Sequence, residues 1–168
     1  MNRSSHGSFA LTERSLGVAC YAALLANESV ILNMDNLVLA ALFSDIALIN
    51  LSPEITSKLR EGKKLSEREL LAYQNHPAGS LNLLRQARLS VPEELAEIIL
   101  TSHVSGRLGS FPEHNSPEDI PIESKFIQMA EEFDRSAVLR FGARRRTHDE
   151  IARLVFESRP EFLFKKAA

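Results

Sequence analysis

Residues 37–49 read Leu37-Val38-Leu39-Ala40-Ala41-Leu42-Phe43-Ser44-Asp45-Ile46-Ala47-Leu48-Ile49, an apolar run broken by one charge. Apolar residues on nearly every side mark a helix that passes through the middle of a core, so the run predicts a central helix over residues 35–51. Asp45 is the only charge between Asn36 and Leu51. A lone buried carboxylate is costly unless a metal, a cation or hydrogen-bond donors meet it. The rest of the chain must therefore supply its partner.

Outward from this run the helical signals continue, and no stretch alternates with period two between hairpin turns. The expected class is all-α. Thr12 can cap a first helix reaching Ala26, with Leu16, Ala19 and Ala23 inward. Ser52-Pro53-Glu54 puts a capping hydroxyl before a proline at the first helical position, and Gly62 ends that helix. Ser66 with Glu69 forms a capping box. His76-Pro77 opens a helix to about Ala87, and Val91-Pro92-Glu93-Glu94 opens the next, which reaches Ser102-His103. Residues 104–119 form a loop long enough to suggest function or mobility. A helix over residues 122–139 follows, with Phe126, Ile127, Met129, Ala130 and Phe133 on its buried face and Glu131 near the edge. Thr147 with Glu150 caps another, and Pro160 begins a final turn.

At 168 residues the chain can bury roughly 70% of the surface its unfolded form exposes. Its 44% hydrophobic and 25% charged residues exclude a disordered or fibrous chain. A net charge of −2 gives no basis for a broad DNA, RNA or membrane footprint. Cys20 is the single cysteine, so no internal disulfide forms, which fits a reducing cytoplasm; it reads as a small buried hydrophobe. Residues 1–9 are polar and read as a flexible N-terminal arm rather than a secretory signal, and residues 10–168 as one domain. No run reaches the roughly 20 apolar residues of a membrane span.

Taken in order, Ser44-Asp45-Ile46, His76-Pro77, Ser102-His103, Gly109-Ser110-Phe111-Pro112, Ile120-Pro121 and Ala130-Glu131-Glu132-Phe133-Asp134 resemble the successive motifs of HD-GYP domains, a bacterial branch of the HD superfamily of metal-dependent phosphohydrolases. The likeness extends over residues 12–164. It implies an HD-domain-like bundle of seven to eight helices holding two or three metal ions, usually iron or manganese, that hydrolyses cyclic di-GMP. Metal ions activate water for attack on a phosphodiester and stabilise the developing charge, which is why His, Asp and Glu recur. Asp45 matches the aspartate that bridges neighbouring ions.

The chain departs from this pattern at several positions. Arg14 stands where the early metal-binding histidine is expected, Ser44 where the histidine of the His-Asp pair is, and Leu48 where a lysine is. Ser102-His103 replaces a histidine pair, and Glu131 an aspartate. Asp45, His76, His103 and Glu131 remain as candidate metal ligands. The expectation is one iron, manganese or zinc ion, or none, rather than a multinuclear centre. Arg14 is an alternative partner, a permanent cation that can bridge Asp45 and Glu131. The plainer readings stay open: His76 satisfied at a helix start, His103 on a helix dipole, and Glu131 solvated. His114 could supply a missing ligand, while His6 and His148 read as surface residues. Arg140 matches a phosphate-contacting arginine of the family, and Arg144 belongs to the same arginine cluster.

These readings lead to a degenerate HD-GYP-like regulatory or interaction module in cyclic di-GMP signalling, partnered by a signalling protein or a cyclic dinucleotide and free to form an oligomer. Two alternatives are kept: a phosphodiesterase with a reduced metal site, and a structural scaffold.

Overall fold

The computed structural model describes residues 4–27, 33–104, 111, 119–137, 147, 149–151, 153 and 157, with only the backbone described for 4–10. Among the described residues the chain is all-α: α1 Ser4–Ala26, α2 Met34–Phe43, a 3-10 helix Ile46–Asn50, α3 Pro53–Glu61, α4 Glu67–Gln74, α5 His76–Gln86, α6 Glu93–Thr101 and α7 Ile122–Ala137. No strand occurs among them.

Most of these boundaries follow from local chemistry. The Ser52 hydroxyl accepts from the Ile55 N–H, Pro53 sits in the first turn, and Gly62 ends α3 at φ 67°, a left-handed conformation that favours glycine. Ser66 and Glu69 complete the capping box of α4. Thr147 and Glu150 exchange bonds of 2.8 and 3.2 Å in the same way, ahead of helical residues 149–151.

The core forms where α2 packs against α1, α6 and α7, and α1 against α7. Val18, Ala19, Ala22 and Ala26 of α1 meet Leu37, Ala40 and Ala41 of α2, with Ile98 and Ile99 of α6 and Ile127 and Ala130 of α7 filling the same cluster. Small side chains on α1 allow close helix packing, so its alanine row sets the helix phase. That phase overturns two expectations. Leu16, one position off the row, is 52% exposed, and Cys20, four residues on, lies on the same outer face. A third correction concerns the start of α1: it begins at Ser4, so Thr12, expected to cap it, lies inside the helix, and residues 4–9 are helical. Adding residues to an existing helix avoids the cost of a new nucleus.

The most consequential correction is in the central run. The expected helix over 35–51 breaks after Phe43 into a turn at Ser44-Asp45 and then the 3-10 helix. Ser80 of α5 accounts for the break. Its buried hydroxyl donates to the Ser44 carbonyl at 2.7 Å and accepts from the Ala47 N–H at 3.1 Å. The Leu48 N–H then bonds to the Asp45 carbonyl at 3.0 Å, a tighter i to i−3 step. Asp45 lies at φ −101°, ψ 0°, in the sparsely used bridge region. Gly79 lets α5 approach closely, since an added Cβ would sit 3.0 Å from the Ala47 Cβ. The run is also not apolar-buried all round, because Ile49 is 59% exposed.

Candidate metal centre

Breaking the helix aims Asp45 across the bundle at two histidines. His76 opens α5 directly after α4, and His103 lies just past the Ser102 cap of α6. Gln128 of α7 donates its side-chain N–H to the Val104 carbonyl at 2.8 Å, which pins the backbone beside His103. Asp45 Oδ1, His76 Nε2 and His103 Nε2 form a triangle with sides of 3.0, 3.4 and 2.9 Å. Asp45 and His76 are buried and His103 nearly so.

The donor set fits a metal ion on three counts. Ligands held at about 2.0–2.1 Å from one ion at tetrahedral or octahedral angles stand roughly 2.9–3.4 Å apart, which is the size of the triangle. His76 Nδ1 lies 2.6 Å from the Tyr73 carbonyl, so we assign its N–H there, leaving the neutral ring with a lone pair at Nε2. That lone pair faces a carboxylate oxygen, and an ion between them satisfies both. Finally, His103 Nδ1 faces Glu131 Oε2 at 3.5 Å. A backbone carbonyl behind one ligating histidine and a carboxylate behind the other are common outer supports of metal sites.

Glu131 therefore stands behind His103, outside the triangle expected to include it. Its other oxygen lies 3.8 Å from Arg14 Nη2, while Arg14 Nη1 lies 3.4 Å from Asp45 Oδ2. Arg14 thus bridges both carboxylates from α1.

Burial works against ionisation of Asp45, yet the hydrogen bond from His103 and the charge of Arg14 hold its pKa well below the usual carboxylate range. Burial likewise opposes charge on His103, but Glu131 and Asp45 outweigh it and raise the imidazole to about 10. A metal ion binding at His103 Nε2 would therefore compete with a proton there. Arg14 is desolvated too, and Asp45 and Glu131 raise its pKa despite that. Asp134 is raised, chiefly by burial, with Arg14 opposing.

Aromatic rings wall one side of the site. Phe111 stacks on His103 with centroids 4.9 Å apart and meets His76 and Tyr73 edge-on at 5.6 and 5.4 Å. Burial raises the Tyr73 hydroxyl pKa, and Asp45 and Glu131 add to it.

Phe111 is thus the described member of the expected loop motif; Gly109, Ser110 and Pro112 lie outside the described residues, as do Arg140, Arg144, His114, His148 and the side chain of His6. Sequence reasoning missed Tyr73, Ser80 and Gln128. Ser80 had a signal, being four residues after His76 and so on the same face of α5. The Tyr73 carbonyl had none.

A sequence profile described as "HD domain" matches residues 4–159. The crystal structure of the L. monocytogenes phosphodiesterase PgpH HD domain shares the fold, with a TM-score of 0.61 at 15% identity over 90% of this chain and 77% of that one. No curated protein matches the sequence. Among the described residues no helix is long and apolar enough to cross a membrane.

Proposed function

We propose, since this chain belongs to the HD domain family, that it is an HD-GYP-like domain that holds one divalent ion on Asp45, His76 and His103 and binds a phosphodiester of the cyclic di-GMP type with impaired hydrolysis. The observation that carries this reading is the triangle of Nε2, Nε2 and Oδ1 atoms at ligand spacing. Its donor set, two imidazoles and a carboxylate, suits zinc, iron or manganese.

When bound, such an ion supplies Lewis acidity toward a phosphoryl oxygen and activates water. The chain's own residues have separate tasks. Asp45 and the two histidines hold the ion, the Tyr73 carbonyl and Glu131 orient the rings, and Phe111 keeps bulk water from one side. Impairment follows from the motif comparison: Arg14, Ser44 and Ser102 stand where the family pattern has histidines. Residues 10–168 would then act as one regulatory module in bacterial cyclic di-GMP signalling.

The test starts with protein purified without chelator. Elemental analysis is expected to find about one ion per chain, and calorimetry to find cyclic di-GMP binding that chelation abolishes. Absence of metal would sink the reading. Efficient turnover of cyclic di-GMP would instead establish a second reading, an active mononuclear phosphodiesterase, which the three-ligand geometry favours because catalytic sites of this kind keep positions open.

A further inference from the structure

Arg14 has more donor capacity than its two ion pairs use. Its contacts to Asp45 and Glu131, 3.4 and 3.8 Å, are longer than the about 2.7–2.9 Å of a charge-assisted hydrogen bond. The guanidinium is therefore held by charge and not locked by its N–H groups. Its side chain is 38% exposed, against 7% and 8% for the two carboxylates, so of these three charged groups it reaches nearest to solvent. Asp45 also divides its oxygens: Oδ1 faces the two histidines and Oδ2 faces Arg14. Phosphate oxygens are spaced much like those of a carboxylate, so one can face the triangle while another faces Arg14 beside Asp45 Oδ2.

We infer that Arg14 is an anion-binding residue of this site, taking a non-bridging oxygen of a phosphate group whose other oxygen turns toward the Asp45–His76–His103 triangle. The inference rests on the metal reading above. The planar guanidinium fork suits phosphate oxygens, and here a fixed cation performs the clamping task that a second ion performs in two-metal sites. It also sets a condition. Asp45, Glu131 and Asp134 all lie within electrostatic reach of Arg14, so phosphate is repelled until a divalent ion offsets their charge.

The experiment uses the whole chain loaded with manganese and inorganic phosphate as the probe, read by calorimetry, with metal content measured separately. Wild type is expected to bind phosphate only when metal-loaded. Arg14→Gln is expected to keep about one ion per chain and lose about ten- to hundredfold in phosphate affinity, the range for losing a charge-assisted hydrogen bond. Arg14→Lys keeps the charge without the fork and is expected to fall about three- to tenfold.

A purely structural Arg14 would lower the melting temperature and leave phosphate affinity of the metal-loaded variant unchanged, which overturns the inference while the metal reading stands. Wild-type protein that takes up none of manganese, iron or zinc overturns both. Should Arg14→Gln not fold, Arg14→Lys decides alone: a fall of about three- to tenfold supports the inference, and affinity within about twofold of wild type overturns it, because the proposed contact is made by the guanidinium fork.

Discussion

Ser80→Ala isolates the contact that turns an apolar helix into a site. Ser80 is fully buried, with Ser44 and Ala47 buried beside it. Its hydroxyl supplies the donor to one backbone group and the acceptor to another, at 2.7 and 3.1 Å. Alanine fills nearly the same space but leaves the Ser44 carbonyl without this donor and the Ala47 N–H without this acceptor. Each unsatisfied buried group costs about 1–3 kcal/mol, and partial relaxation of the turn recovers some of that. The expected destabilisation is about 2–4 kcal/mol, or a fall in melting temperature of about 5–15 °C for a chain of this size.

Urea and thermal denaturation of chelator-treated protein measure it. Ser57→Ala, which removes an exposed hydroxyl bonded to Glu61, serves as the control, with a change within about 0.5 kcal/mol. Metal affinity is expected to fall about ten- to hundredfold, as it does when a residue that orients a ligand is lost. A loss of stability under about 1 kcal/mol would refute the account of the helix break. Lost stability with unchanged metal affinity would show that the break does not aim Asp45.

Replacing Asp45 with Asn, or His76 with Ala, is expected to reduce bound metal from about one ion per chain to trace levels by elemental analysis; retention of a full equivalent would reject the triangle. Leu37→Ala should cost about 2–5 kcal/mol, because Leu37 is wholly buried, whereas Leu16→Ser should change stability by less than about 0.5 kcal/mol; denaturant midpoints that reverse this order would reject the phase of α1. Glu69 titrates at about 2, lowered from 4.5 first by its bond to Lys58 and then by the backbone and hydroxyl of Ser66. Its folded pKa lies below its unfolded one, so its contribution is complete above about pH 4.5 and disappears as pH falls through about 2. Carbon-detected NMR should show its carboxylate titrating well below other exposed glutamates, and an ordinary midpoint would contradict the capping geometry.

Several helix starts were legible because the decisive atoms lie within four residues of one another. The caps at Ser52, Ser66 and Thr147 involve a hydroxyl, a carboxylate and nearby backbone N–H groups, and such chemistry is written locally. Asp45's need for a partner was equally readable, since a charge in an apolar run is a conflict visible without coordinates. His76 and His103 answer it, as their place among the motifs suggested. Glu131 lies behind His103 and apart from the Asp45–His76–His103 group, a placement set by how α6 and α7 pack.

The sequence by itself determined an all-helical chain, the ends of most of its helices, and the demand for positive charge around Asp45. Packing decided which face of α1 turns inward, that Leu16 and Cys20 lie outside, and that the central run breaks at Ser44. The break depends on a hydroxyl 36 residues away in α5, and α1's alanine row acts only once α2 and α7 lie against it. Local hydrogen bonds and periodicity are encoded in neighbouring residues. Competition between a helix's own bonds and a side chain brought in from another helix is resolved only when the two meet.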